Sequence, residues 1–116
     1  MIKHLSCMLV LSVMVGCASD PAPSEQLRLT EQAVIQARSV GASEQTPELV
    51  LAEQRLMAAI TAMKRKHYLA ARRLAEKAEL DARLAEARVL NDKSQQELSE
   101  LSRRIARLRE QLGDLQ

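Results

Sequence analysis

The sequence predicts an all-α protein. The expected form is a three-helix, alanine-seamed antiparallel hairpin or bundle with a long, coiled-coil-like C-terminal helix, preceded by a signal peptide. Three observations predict it. The 116 residues hold one Tyr and neither Phe nor Trp. A core must then be built from small and aliphatic side chains, which suits closely packed helices and not a β-sandwich or an α/β enzyme. Only three Gly and three Pro are present, with two of the prolines at positions 21 and 23, so the middle and end of the chain carry little turn punctuation. Alanine and leucine recur there at spacings of three and four, the period of a helix face.

The first element is the leader. Lys3 precedes "LSCMLVLSVMV", an almost wholly apolar run of 11 residues from Leu5 to Val15. A bilayer-spanning helix needs about 20 residues; this run has the length of a signal-peptide core. The next residues, Met14-Val15-Gly16-Cys17, resemble the bacterial lipobox, usually Leu-(Ala/Ser)-(Gly/Ala)-Cys, with Met14 in place of the commoner Leu. The resemblance implies diacylglycerol on the Cys17 sulfur, cleavage between Gly16 and Cys17, and acylation of the new amino terminus. Cys7 would leave with the leader and Cys17 would be blocked, so the mature chain would form no internal disulfide. Residues 1–16 are therefore expected to be a signal peptide, and 17–24 a lipidated cysteine with a flexible tether, "ASDPAPS". Ala18 and Ser19 stand where an Asp would signal inner-membrane retention in enterobacteria-like sorting. By that analogy the chain sits on the periplasmic face of the outer membrane, held by several acyl chains.

The helical domain is expected over 25–90. Ser24 is placed to cap a first helix, which carries Leu29, Ala33, Val34, Ile35 and Ala37 and stops at Gly41. Thr46-Pro47 opens a second, with Thr46 as cap and Pro47 in the first helical position. Its apolar face is Leu49, Ala52, Leu56, Ala59, Ile60 and Met63. "KRKHY" contains no Gly or Pro, yet a turn is expected near Lys66-His67, because a helix unbroken from Pro47 to Gly113 would leave its apolar face without a partner. From Tyr68 onward Ala71, Ala75, Ala78, Ala82, Ala85 and Val89 follow a 4-3-4-3-4 spacing, a seam that lets helix axes approach closely. The charges between them, such as Glu79 and Arg83, read as a solvated face with i,i+4 pairing.

The phase changes near "LNDKSQQ", and residues 91–116 are expected to be a coiled-coil-like extension. Its seam is Leu98, Leu101, Ile105, Leu108, Leu112 and Leu115, spaced 3-4-3-4-3. The helices before it are too short to cover it, so it is expected to bind a protein partner or a second copy. Parallel self-pairing would set Arg104 against Arg109 of the other copy, a like-charge pair that disfavours that orientation. Arg103, Arg104, Arg107 and Arg109 also form a candidate anion-binding cluster for lipopolysaccharide phosphates or peptidoglycan carboxylates.

Taken in order, these elements are similar to a family of small Gram-negative lipoproteins carrying the domain of unknown function 4398. The matching features are Gly16-Cys17, the Ala-rich first helix ending at Gly41-Ala42, Pro47-Glu48-Leu49, the turn before Tyr68, and the run from Ala71 to Ala85. The family often has Gly-Asp or Lys-Asn before the Tyr, where this chain has Lys66-His67. The resemblance implies location and fold and carries no activity.

Several function classes are disfavoured. A net charge of +2 from 17 basic and 15 acidic residues lacks the basic excess of a nucleic-acid binder. His67 has no second His or Cys near it in sequence to complete a metal site. Glu76, Glu79, Asp81 and Glu86 read as exposed carboxylates without the burial that tunes a catalytic pair. No enzyme activity, cofactor or metal is expected, and no catalytic residues are assigned. The expected function is that of an envelope lipoprotein acting as a structural or protein-interaction module.

Overall fold

The computed structural model describes residues 20–114. Gly16, Cys17 and the leader lie outside the described residues, as does Leu115. The described chain forms three helices: α1, Ser24–Ser39; α2, Pro47–Lys64; and α3, Tyr68–Gly113.

Each boundary has a local cause. The cap of α1 is Pro23 and not Ser24, which is already helical and makes no capping bond. Pro23 is buried and its carbonyl accepts from Leu27 N–H at 3.0 Å. Proline fixes the entry dihedral, and Ser24 N–H donates to the Ala22 carbonyl at 2.9 Å, which satisfies one of the free donors of the first turn. The helix ends in a Schellman turn: Ala42 N–H donates to the Ala37 carbonyl and Gly41 N–H to the Arg38 carbonyl, both at 3.0 Å. Gly41 has φ +110°, which only glycine adopts freely. Thr46 caps α2 in extended geometry, with Pro47 in the first turn as expected. Its hydroxyl turns back and accepts from Ser43 N–H at 3.2 Å, fixing the loop instead of the helix.

The turn near Lys66-His67 is present, and it is a second Schellman turn. His67 N–H donates to the Ala62 carbonyl and Lys66 N–H to the Met63 carbonyl, both at 2.9 Å. Here Lys66, at φ +61°, occupies the left-handed position that Gly41 fills in the first turn.

The core is made of small side chains. Ala71, Ala75, Ala78, Ala82 and Ala85 are all fully buried, so α3 is the element against which both others pack. Val34, Ala37, Ala42, Leu49 and Ala52 close on Ala82 and Ala85, with Ala33, Leu56 and Val89 at the margin. A buried methyl contributes about 0.8 kcal/mol, against about 1.5–3 for a whole leucine side chain, so close backbone approach supplies the rest through dispersion. Thr30 ties α1 to α3. Its buried hydroxyl lies 3.0 Å from the Ala75 carbonyl and 2.8 Å from the carbonyl of Gln26. Leu29 and Ile35, expected on the apolar face of α1, are exposed, because α1 has only one side turned toward its neighbours.

Pairs across the helices fix the directions. Arg88 bonds Glu48 at 2.6 Å and Arg55 bonds Asp81, so α2 and α3 are antiparallel. Gln36 donates to Glu86 at 3.2 Å, and Lys93 Nζ to the Val40 carbonyl, so α1 and α3 run parallel. One pole of the bundle therefore carries the start of α1 and the α2–α3 turn. The other carries the α1–α2 loop, and beyond it α3 continues alone.

Candidate interaction surfaces

The α3 tail is the most exposed part of the described chain. From Leu90 to Asp114 every side chain is exposed, and the helix continues unbroken to Gly113. At 1.5 Å per residue this is ~36 Å of helix without a neighbour. The bundle stops there for a sequence reason. The positions that continue the alanine seam beyond Val89 are Asp92, Gln96, Ser99 and Arg103, all polar.

Leu98, Leu101, Ile105, Leu108 and Leu112 lie along one face of this tail, 42–65% exposed. Their heptad register runs further back than the spacing in the tail alone suggested. Counting toward the N terminus, the same positions are Ser94, Asn91, Ala87, Leu84 and Leu80. Leu84 and Leu80 are 53% and 67% exposed. Each stands two residues from a seam alanine, Ala82 or Ala78, about 200° around the helix. One apolar edge thus follows the back of α3, away from α1 and α2, and runs onto the tail, interrupted by Asn91 and Ser94. The repeat was present in the sequence, but the polar pair hid it.

The four tail arginines do not all converge: Arg104 and Arg107 line one shallow hollow with Leu108 and Gln111, and Arg109 is turned away from it. Arg103 and Arg107, four residues apart, share a side of the helix, whereas Arg109 stands about 200° from Arg107. Arg104 is engaged by Glu100, and Arg103 Nε donates to the Ser99 carbonyl at 3.3 Å.

A different set of cations is gathered by the fold. Because α1 and α3 run parallel, Asp20 lies beside the α2–α3 turn, where an open hollow is lined by Asp20, Lys66, His67, Tyr68, Leu69 and Arg73. Lys64, Arg65, Lys66 and Arg73 are exposed at this pole and Arg72 is half-buried. None of the five is in an ion pair among the described residues, while Arg28, Arg38, Arg55, Arg83, Arg88 and Arg104 each hold a carboxylate. In the sequence "KRKHY" reads as a turn alone. Its one available signal was the density of basic residues on both sides of that turn.

The carboxylates named in the sequence are less uniformly solvated than expected. Glu79 is half-buried and accepts from Gln26 Nε2 at 2.7 Å and from Arg83 at 2.5 Å. Those two donors hold its carboxyl below the usual glutamate range, the Gln26 bond foremost. Asp81 reaches Arg55 of α2, and Glu48 keeps Oε1 on Arg88 while its buried Oε2 has no partner. These groups join helices and line no enclosed cleft. His67 is exposed. Among the described residues no three His, Cys, Asp or Glu side chains are grouped to hold a metal, and no helix is long and apolar enough to cross a membrane.

Comparison with known proteins finds a family for the chain. A family model described as a domain of unknown function, DUF4398, matches residues 25–101. The chain is also similar to a DUF4398 family protein from Pseudomonas aeruginosa PAO1 of known crystal structure. The two are 54% identical, with a TM-score of 0.80, over 83% of this chain and 100% of that one. No curated protein matches.

Proposed function

This chain belongs to the DUF4398 family, a domain of unknown function, and from that premise we propose that it is an outer-membrane-anchored periplasmic lipoprotein whose α3 tail is a docking surface for a protein. Cys17 carries the lipid, and cleavage falls between Gly16 and Cys17. The alanine-seamed bundle acts as a stiff base, and the leucine edge from Leu98 to Leu112 is the surface it presents. The observation that carries this reading is the contrast within one helix. The seam from Ala71 to Ala85 is fully buried, whereas the Leu98–Leu112 face, equally regular and more apolar, is exposed. Exposed leucines at heptad spacing are costly to keep in water and mark an interaction site.

The second reading, peptidoglycan or lipopolysaccharide binding through Arg103, Arg104, Arg107 and Arg109, gains less support. A site for one anion needs convergent, free donors; Arg104 is already engaged by Glu100, and Arg109 is turned away from Arg103 and Arg107.

The test is photo-crosslinking in living cells with a crosslinking amino acid in place of Leu108. The expected result is a heavier band containing a second protein chain, either a different protein or another copy of this one. No adduct at position 108, with the chain folded and at normal abundance, overturns the docking role. The lipid anchor is tested separately: Cys17→Ser is expected to abolish the mass increase of the acyl groups on the mature chain.

A further inference from the structure

We propose that the pole formed by the α2–α3 turn is a footing that rests on an anionic phospholipid surface, with Lys64, Arg65, Lys66, Arg72 and Arg73 facing the headgroup phosphates. The proposal rests on the reading of Cys17 as the lipid-bearing residue, because that anchor decides which pole faces the membrane. Chain length then sets the distance. Asp20 is three residues from Cys17, a reach of at most ~11 Å at about 3.6 Å per residue. Asp20 also lines the same hollow as Lys66 and Arg73. Lys66 and Arg73, which line the hollow with Asp20, are therefore tethered near the plane in which the acyl chains are inserted, on the scale of one to two Debye lengths of about 8–10 Å each at physiological salt.

The charge distribution supports a surface and not a single ligand. The five cations spread over an open pole, which suits many phosphates in a plane. None of the five has a carboxylate partner among the described residues, as is also true of Lys77 and of Arg103, Arg107 and Arg109 in the tail. At the opposite pole Arg88 is taken by Glu48, and Lys93 by the Val40 carbonyl. Of the acids near the footing, Glu25 is already engaged by Arg28, Asp20 lies beside the cations, and exposed Glu76 stands one turn beyond Arg72 and Arg73. Leu69, 46% exposed between Lys66 and Arg73, supplies an apolar contact at headgroup depth, with half-buried Tyr68 beside it. Juxtamembrane lysines and arginines each favour an anionic surface by about fivefold.

The experiment uses the lipidated chain purified from membranes and placed in vesicles, either 30% phosphatidylglycerol in phosphatidylcholine or phosphatidylcholine alone. A spin label on His67→Cys reports contact with a headgroup-bound relaxant, and a label on Leu112→Cys serves as the distant control. The expected result is strong relaxation at position 67 on the anionic vesicles, severalfold weaker on phosphatidylcholine or in high salt, and none at 112. Replacing Lys64, Arg65, Lys66, Arg72 and Arg73 with Gln should bring position 67 down to the phosphatidylcholine level. Replacing Arg72 and Arg73 alone should lower the weight of the contact state about 25-fold. Equal relaxation on both vesicles, or an unchanged signal in the five-Gln variant, overturns the footing while leaving the anchor intact. Absence of lipid on the purified chain, read by mass, overturns the anchor. In that case, salt-sensitive flotation of the same chain with the anionic vesicles alone still supports the footing, and its failure to float overturns it.

Discussion

Lys66 does a glycine's work. At φ +61° a β-carbon crowds the following carbonyl, a cost of about 1–2 kcal/mol that glycine does not bear. Glycine gives back part of that gain through its freer unfolded chain. Lys66→Gly is expected to stabilise the bundle by about 0.5–1 kcal/mol, seen as a higher midpoint of thermal unfolding followed by circular dichroism. The same substitution removes one footing charge, so stability and membrane contact should move in opposite directions. Glu79 gives the second prediction at this scale. Its carboxylate is held by Gln26 and Arg83, so its proton affinity is lower folded than unfolded. The stabilisation is therefore complete above the ordinary glutamate range and is lost as pH falls through the lowered folded value. Urea midpoints measured between pH 7 and pH 3 should fall less steeply for Glu79→Gln than for the parent chain.

Among the elements, α3 is two helices in one. Its first half faces two neighbours through alanines that leave no spare volume. Ala82 lies in the cluster with Val34, Ala37, Leu49 and Ala52. Ala82→Leu should separate α3 from its neighbours and cost about 1–3 kcal/mol, the range for overpacked sites. Ala87→Leu, five residues on and exposed, should be near neutral in the same unfolding assay. If the two variants unfolded alike, the seam would not be the determinant of the bundle. The alanine seam was legible in the sequence because burial on a helix imposes a strict period, and five small residues kept it without a break. The leucine edge was legible only from Leu98 onward. Its continuation through Leu84 and Leu80 was hidden because Asn91 and Ser94 break the apolar pattern without breaking the register.

At the scale of the whole molecule, base and tail are energetically separate. Among the described residues none beyond Lys93 is buried, and Lys93 itself is the last to reach back, to the Val40 carbonyl. A chain ending after Lys93 should keep its unfolding free energy within about 0.5 kcal/mol, the usual range for changes at exposed sites. It should also lose any adduct or partner that depends on the leucine edge. A large loss of stability would mean that the tail folds back on the bundle.

The sequence by itself determined the fold class, the number of helices, the alanine seam and the exposed leucine edge of the tail. These follow from periodicity and from the absence of rings, glycine and proline, which act along the chain and need no knowledge of what lies across it. Only the tertiary structure decided which charges come together. Parallel α1 and α3 bring Asp20 to the α2–α3 turn, beside Lys66 and Arg73, while the helical twist turns Arg109 away from the other tail arginines. Proximity in sequence is not proximity around a helix: neighbours diverge by 100° per residue, and it takes the packing of a second and third helix to choose which of them face the same way.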